Sequence, residues 1–528
     1  MNNHHIQPNK KGLPIGWTLC QLKDCVDILD SQRVPVNSEE RQQRIGNIPY
    51  YGATGQVGWI DNFLFDEQLL LIGEDGAPFF DKSKSIAYTI SGKSWVNNHA
   101  HVLRSIPGLT SNYLLKHYLN QFDFRGYVNG TTRLKLTQSL MSQIPVRLPP
   151  LNEQSRIVAK LEKLLAKVDS CKERLDKIPA ILKRFRQSVL SAACSGRLTA
   201  DWRENNPDVE PASELLQRIQ EKRQKHYEKE CARAKAEGRR KPKKPKEFQL
   251  LETYNFDIPK SWALAYPEDI CSSKDYSIGI GPFGSNLKVS DYINDGVPLI
   301  FVRHIRSGNF AGLEPKYVTP EKAQELLPHM VEPLDLLITK MGEPPGDCEI
   351  YPDDRPNGII TSDCLKFRIW ETDLQRTFFK HCINSFIIKD QLGLITKGVA
   401  QQKISVERFK SILFPVPPFA EQQEIVNRVE TLFKLADQIE QRYQKARGYV
   451  DQLTQSILAK AFRGELVPQD PNDEPASVLL ERIRAERAKP ETEAKAAKKS
   501  TGKKGGRRGR KPKPQDSEPI QLELPGLE

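Results

Sequence analysis

The chain repeats itself, and that repeat constrains its fold more than any other feature. Pro149-Pro150-Leu151-Asn152-Glu153-Gln154 returns as Pro417-Pro418-Phe419-Ala420-Glu421-Gln422, 268 residues later. The match continues without a gap. Ile157-Val158 meets Ile425-Val426, Asp169 meets Asp437, Gln187-Ser188 meets Gln455-Ser456, and Gly196 meets Gly464. From Glu153 to Leu198, 15 of 46 positions are identical, where chance gives about three. A shifted echo follows. Pro211-Ala212-Ser213 and Pro475-Ala476-Ser477 each lead into Leu-Leu-x-Arg-Ile. The segments opening the two copies match loosely: Leu13-Pro14-Ile15-Gly16-Trp17 and Ile258-Pro259-Lys260-Ser261-Trp262. The chain therefore reads as two copies of one module, a globular domain followed by a long helix. The globular stretches share little sequence, which suggests two readers of different targets on one symmetrical frame.

The helices carry a seam. Ile157, Leu161, Leu164, Val168, Cys171, Leu175, Ile178, Leu182, Phe185 and Val189 follow one another at alternating spacings of four and three. The second copy keeps the register with Ile425, Val429, Leu432, Ala436, Ile439, Tyr443, Ala446, Val450, Leu453 and Ile457. That is a heptad pattern, and one such stripe cannot be buried alone. The obvious partner is the other copy, giving an intramolecular coiled coil. Pro179 should interrupt the first helix, and Gly196 and Gly464 suit C-terminal stops. A helix of this length spans roughly 50 Å at ~1.5 Å per residue. At ~3.4 Å per base pair, that is a spacer of roughly 15 base pairs.

Charge is unevenly placed. The net charge is +12, yet residues 233–246 hold eight Lys/Arg against one acid, and residues 495–513 hold ten and none. These Pro/Gly/Ala-rich runs read as a basic linker within 199–257 and a disordered basic tail over 467–528. Such arms suit phosphates, but charge alone does not establish nucleic-acid binding. No apolar run approaches the ~18 residues of a membrane span. Residues 1–11 lack the apolar core of a signal peptide, so the cytoplasm is expected. The nine cysteines include no Cys-x-x-Cys, and the nine histidines show no zinc spacing. Neither a disulfide framework nor a metal site is expected.

The globular stretches, within 1–150 and 258–416, mix strand-like runs with glycine turns and read as α+β domains. Expected strands are Gln68 to Ile72, Val297 to Ile305 and Leu334 to Thr339; expected helices are Ser111 to Leu119 and Arg376 to Ile388. Conserved-looking helices over 151–198 and 417–466 follow the two domains.

Tyr51-Gly52-Ala53-Thr54-Gly55, Leu71-Ile72-Gly73-Glu74-Asp75-Gly76 and Asn97-Asn98-His99-Ala100-His101-Val102 stand in the first domain. Gly281-Pro282-Phe283-Gly284-Ser285-Asn286-Leu287, Gly296-Val297-Pro298-Leu299-Ile300 and Asp335-Leu336-Leu337-Ile338-Thr339-Lys340-Met341-Gly342 stand in the second. Residues 130–154 and 398–422 each end in Pro-Pro-x-x-Glu-Gln. In these segments, and in the order domain–helix–domain–helix, the chain resembles the specificity subunits of Type I restriction-modification systems. The resemblance implies two target-recognition domains, each reading a few base pairs of a split duplex target. It implies helices pairing antiparallel as a spacer, two modification subunits docked on them, and restriction subunits joined through those. S-adenosylmethionine, ATP and Mg²⁺ would belong to these partners, with no cofactor and no catalysis in this chain.

Two other motifs are weaker. Gly279-Ile280-Gly281-Pro282-Phe283-Gly284 has dinucleotide-site spacing but lacks a strand context before it and carries proline inside. Val416-Pro417-Pro418-Phe419 resembles the adenine methyltransferase motif with its polar first residue lost, which argues against a self-contained methyltransferase. A plain coiled-coil scaffold explains the helices but not the two dissimilar domains. Reading bases takes Arg, Lys, Asn or Gln at a groove. In the first domain the candidates are Tyr51, Gly52, Thr54, Gln56, Asn97, Asn98, Thr131, Arg133 and Lys135. In the second they are Ser285, Asn286, Lys288, Arg303, Lys340, Gln401, Gln402 and Lys403.

Overall fold

The computed structural model describes residues 12–81, 84–242, 244, 257–342, 345–370, 372–395 and 403–501, with side chains as far as 488. Its long helices are α1 (Leu151–Asp176), α2 (Ile178–Cys194), α3 (Ala212–Ala236), α4 (Phe419–Arg463) and α5 (Ala476–Thr501). The chain divides into two compact units. One joins Met1–Glu173 to Arg447–Glu528, and the other is Arg174–Ala446. Each unit thus holds one globular domain and a piece of both repeats.

In each unit the helices pair antiparallel. In the first, Ile157, Leu161 and Val168 of α1 share a core with Ile457, Leu458, Ala461 and Phe462 of α4, and Lys172 meets Asp451 at 3.1 Å. In the second, Arg186 meets Asp437 at 2.6 Å and Glu440 at 3.1 Å. Further along the same chain, Arg428 meets Asp201 at 2.6 Å. Ile425 and Val429 are fully buried, while Leu164 and Leu432 are half-buried. The first helix breaks at Lys177 because Pro179, in the opening turn of α2, has no N–H for the preceding turn. Gly196 and Gly464 follow the helix ends with φ of 75° and 77°, as stops require. The seam is less continuous than its heptads predict. Of its residues, Cys171, Ile439 and Leu453 are exposed, and Ile181, Leu435 and Tyr449 stand exposed beside the seam.

The two globular domains, so different in sequence, have one topology. In the first, a sheet runs Val26–Ile28, Ala100–Ser105, Leu69–Gly73, Ala87–Ile90, all antiparallel. In the second, Ile278–Ile280, Cys364–Phe367, Leu336–Thr339 and Cys348–Ile350 follow the same order and sense. A further sheet runs Gly55–Ile60, Ile48–Gly52, Lys93–Val96, Phe65–Asp66. Its counterpart runs Tyr317–Val318, Val297–Ile300, Gly358–Ile360, Met330–Val331. In both, the central pair is parallel. The expected strand Val297 to Ile305 stops at Ile300 and turns into a short helix, Val302–Ser307. The expected helix Arg376 to Ile388 is two, Arg376–Asn384 and Phe386–Ile395.

The repeated Pro-Pro-x-x-Glu-Gln is a latch between domain and helix. Trp17 Nε1 donates to Glu153 at 3.0 Å, and Trp262 Nε1 donates to Glu421 at 2.8 Å. Gln154 and Gln422 each donate back to a carbonyl five residues earlier, Pro149 and Pro417, at 2.9 Å. The copies differ at the carboxylate. Glu421 also accepts from Thr199 at 2.6 Å and from Arg203. Glu153 Oε1 is buried without a partner, and burial raises this carboxyl above its ordinary value.

The stretches read as a linker and a tail hold ordered helices. Leu215, Leu216 and Ile219 of α3 join the core of the second unit, and Leu479, Leu480 and Ile483 of α5 join that of the first. The Ala212 N–H donates to the Ser261 carbonyl at 2.9 Å, and the Ala476 N–H donates to the Gly16 carbonyl at 2.8 Å. Arg218 clamps Glu210, as Arg482 clamps Glu474. The shifted echo is therefore a third repeated element. The clasp that leaves the first repeat closes the second domain, and the clasp that leaves the second repeat closes the first.

Candidate nucleic-acid interface

In the first domain, four chain segments converge on a cleft of about 610 Å³. Its walls include Gly52, Thr54, Asp75, Asn97, His99 and Arg133. The hairpin Ile48–Gly52/Gly55–Ile60 turns at Ala53-Thr54 and presents Thr54 and Gln56 to solvent. Gly73 lets the turn approach, since a Cβ there would lie 2.8 Å from the Ala53 carbonyl oxygen. Of the predicted residues, Thr54, Gln56, Asn98, Thr131, Arg133 and Lys135 are exposed around this cleft or beside it. Tyr51 is half-buried against Tyr88, and Gly52 is buried. Asn97, in the cleft wall, is only 8% exposed, and its Oδ1 accepts from the His99 N–H at 2.8 Å, so this side chain also builds the loop.

An ion network backs the cleft. Arg133 pairs with Asp75 at 2.8 Å, Arg33 with Glu74 at 2.7 Å, and Lys135 with Glu74 at 3.4 Å. His101, 1% exposed, sets Nδ1 2.6 Å from Asp30 and Nε2 2.8 Å from the Leu136 carbonyl. Asp30, Glu74 and His101 lie close enough to share a cation. The Arg33 guanidinium already reaches both carboxylates, so the cluster is charge-compensated from within. His99 is half-buried in the cleft wall, 3.7 Å from Asp75.

The second domain repeats this backbone with other side chains. The Glu74 N–H donates to the His99 carbonyl and its carbonyl accepts from Leu136, both at 2.8 Å. Lys340 donates to the Asp363 carbonyl at 2.8 Å and accepts from Ile404 at 3.1 Å. Asp75 bridges to Lys135 as Met341 bridges to Lys403. One backbone station thus carries a carboxylate in one domain and an ammonium in the other. Carboxylates accept from base amino groups, whereas lysine donates to the O6 and N7 of guanine. Lys340 Nζ donates to the Ser362 carbonyl at 3.1 Å, and burial lowers its pKa, with Lys403 nearby adding to the effect. Arg303 stacks on the Phe301 ring at 4.2 Å. Ser285, Asn286, Lys288 and Lys403 are exposed, while Gln401 and Gln402 lie outside the described residues. No strand–loop–helix nucleotide site forms at residues 279–284, where a strand leads into an irregular loop.

A further repeat escaped the sequence reading. Lys116-His117-Tyr118-Leu119-Asn120 matches Lys380-His381-Cys382-Ile383-Asn384. Asn120 bonds both main-chain groups of Ala87, and Asn384 bonds both of Cys348, so each amide pins a helix to the edge strand of its sheet.

A family model described as the type I restriction modification DNA specificity domain matches residues 14–180 and 359–446. The EcoBI specificity subunit of Escherichia coli is 33% identical over 385 residues, 71% of this chain and 70% of that one. The chain belongs to the specificity subunits of type I restriction enzymes. The EcoDI specificity subunit of Escherichia coli is 29% identical over 506 residues, 93% of this chain and 99% of that one. A solved chain from a type I restriction-modification system covers 87% of this chain and 100% of its own length, with a TM-score of 0.56. At 15% identity, that likeness supports the fold alone. As a specificity subunit, the chain is the sequence-specific DNA-recognition component of its system. Among the described residues, no helix is long and apolar enough to cross a membrane.

Proposed function

We propose that this specificity subunit performs no chemistry and reads a split duplex target, one half with each domain. The observation that carries the reading is the pairing of one topology and one latch with unlike loop chemistry. A frame built twice holds Glu74, Asp75 and Arg133 at one reading face and Lys340, Lys403 and Arg303 at the other. Two modification subunits dock on the helices, where Ile181, Leu435 and Ile439 in one unit and Tyr449 and Leu453 in the other stand exposed. Restriction subunits join through them. S-adenosylmethionine, ATP and Mg²⁺ belong to those partners, and the complex works in the cytoplasm. Exposed Thr54, Gln56, Asn98, Thr131, Arg133 and Lys135 meet one half-site, and Ser285, Asn286, Lys288, Arg303, Lys340 and Lys403 meet the other.

The test is a methylome. The chain is co-expressed with its methyltransferase subunit, and modified adenines are mapped. A two-part methylated sequence is expected, with one part changing when residues 13–147 are exchanged for those of a relative. An active, soluble complex that methylates no two-part sequence would refute the reading.

A further inference from the structure

The second domain holds an aromatic ring in water on a loop that is otherwise fixed. Phe283 is 69% exposed. Before it, the Gly281 N–H donates to the Cys364 carbonyl at 3.1 Å, and a Cβ on Gly281 would lie 2.0 Å from the Thr361 carbonyl oxygen. Pro282 is buried. After it, Leu287 is buried in a cluster with Leu299, Val318 and the partly buried Tyr292 and Phe301. The Asn286 N–H closes the turn on the Phe283 carbonyl at 2.8 Å. Both ends of the loop are anchored, and its tip, residues 283–286, faces solvent.

An apolar ring held out of the core forgoes burial that the fold could have used, and an apolar spot with a polar rim marks a contact site. The rim identifies the occupant. Ser285, Asn286 and Lys288 are exposed within five residues of the ring, and Arg303 on Phe301 belongs to the same neighbourhood through Tyr292. A protein interface needs a broad patch of about 800 Å² per partner. A single ring among cations, a hydroxyl and an amide has the composition of a DNA contact, in which cations take phosphates and an apolar side chain enters a base step. The first domain has exposed rings elsewhere, at Trp59, Phe63 and Phe80, but none at the equivalent place. Its corresponding segment, residues 29–47 between the first strands of its two sheets, offers exposed Val34 and Ile45 and no aromatic.

We propose that Phe283 is an apolar wedge that packs into a base step of the half-site read by the second domain, acting through the shape of the duplex. The wedge rests on the assignment of this face to DNA. It contributes affinity and local unstacking, and the loop's polar groups and lysines keep the sequence choice.

The test uses the complete complex with its methyltransferase subunit. Binding to the methylated-sequence duplex is measured at several salt concentrations, with 2-aminopurine placed at successive positions of that half-site. Phe283→Ala is expected to weaken binding about 10- to 100-fold, the range set by burying one ring less the cost of unstacking. It should abolish the 2-aminopurine fluorescence rise and leave the salt slope and the methylated sequence unchanged. Phe283→Leu should recover most of the affinity. Binding by Phe283→Ala within about twofold of wild type overturns the wedge alone. Loss of complex assembly by Phe283→Ala in size-exclusion chromatography also overturns it, by assigning the ring to a protein partner. Failure of the wild-type complex to prefer any sequence overturns the DNA assignment and the wedge together.

Discussion

Helix α5 should be part of the first domain's core, although it lies more than 300 residues from that domain in sequence. Leu479 and Leu480 are each 4% exposed, packed in the cluster that contains Trp17, Leu22 and Val26. Replacing both with alanine removes two buried leucines at about 2–5 kcal/mol each. Ala476, partly buried Ile483 and the ion pairs of Arg484 with Asp24 and Arg487 with Asp27 remain. Exposed pairs contribute about 0–1 kcal/mol each, too little to hold the helix in place. The combined loss of about 4–10 kcal/mol is comparable to the whole stability of a domain, about 5–15 kcal/mol. Hydrogen exchange should therefore rise across residues 16–28 and the sheet behind them, while residues 258–416 keep their protection. The mirror experiment, Leu215→Ala with Leu216→Ala, should reverse the pattern. Unchanged protection over 16–28 in the first variant would refute the assignment of α5 to this core. Equal loosening of both domains by either variant would refute the one-clasp-per-domain logic.

Four further outcomes follow from the structure. His117 and His381 are buried, each with an unpartnered Nε2, and burial beside Lys116 and Lys380 pushes both from about 6.5 down to about 4. The unfolded chain binds these protons near pH 6.5 and the folded one only near 4. Stability present above 6.5 is thus lost as the pH falls towards 4, by about 3 kcal/mol per histidine, and His117→Leu should flatten that slope in urea titrations. Glu421→Ala, which strands Arg203 and Trp262, should cost about 3–5 kcal/mol in denaturant unfolding. Glu153→Gln keeps an acceptor for Trp17 and strands no cation, so it should stay within about 1 kcal/mol of wild type. Ile439→Asp with Leu453→Asp should leave the melting temperature within a few degrees and abolish co-purification with the methyltransferase subunit.

The frame was legible because its chemistry is written in side chains. The Trp–Glu–Gln latch needs those residue types, so both copies retain them, and the helix stops need glycine at positive φ. The common topology of the domains left no such trace. A short strand asks only for apolar residues of tolerable shape, and the equivalent strands Lys93–Val96 and Gly358–Ile360 meet that demand with no identity. Lys-His-x-x-Asn was a readable signal, because an asparagine that bonds both groups of a strand residue has no substitute of equal geometry. Helices α3 and α5 were obscured by composition, since three apolar residues in a long polar helix look like a solvated arm until a partner face is known. The seam was over-read in its middle, where Ile439 and Leu453 keep the heptad spacing but remain exposed. At the proposed interface, which loops converge was easier to read than what each side chain touches. Asn97 has the chemistry of a base reader, but its amide already bonds its own loop, a choice that spacing alone does not reveal.

Each clasp comes from the opposite end of the module that it closes, which sets an order of completion during synthesis. Residues 174–446 form an uninterrupted unit, whereas the unit that holds the first domain awaits 447–463 and then α5. The earlier-made of the two domains is thus the last to be finished, through contacts such as Arg487 with Asp27, 460 residues apart. A prematurely terminated product would keep the apolar surface around Trp17 and Leu22 uncovered, visible to chaperones and proteases. Only a chain made through α5 can present two sealed domains, so the path of the polypeptide itself links completion of one domain to synthesis of the other.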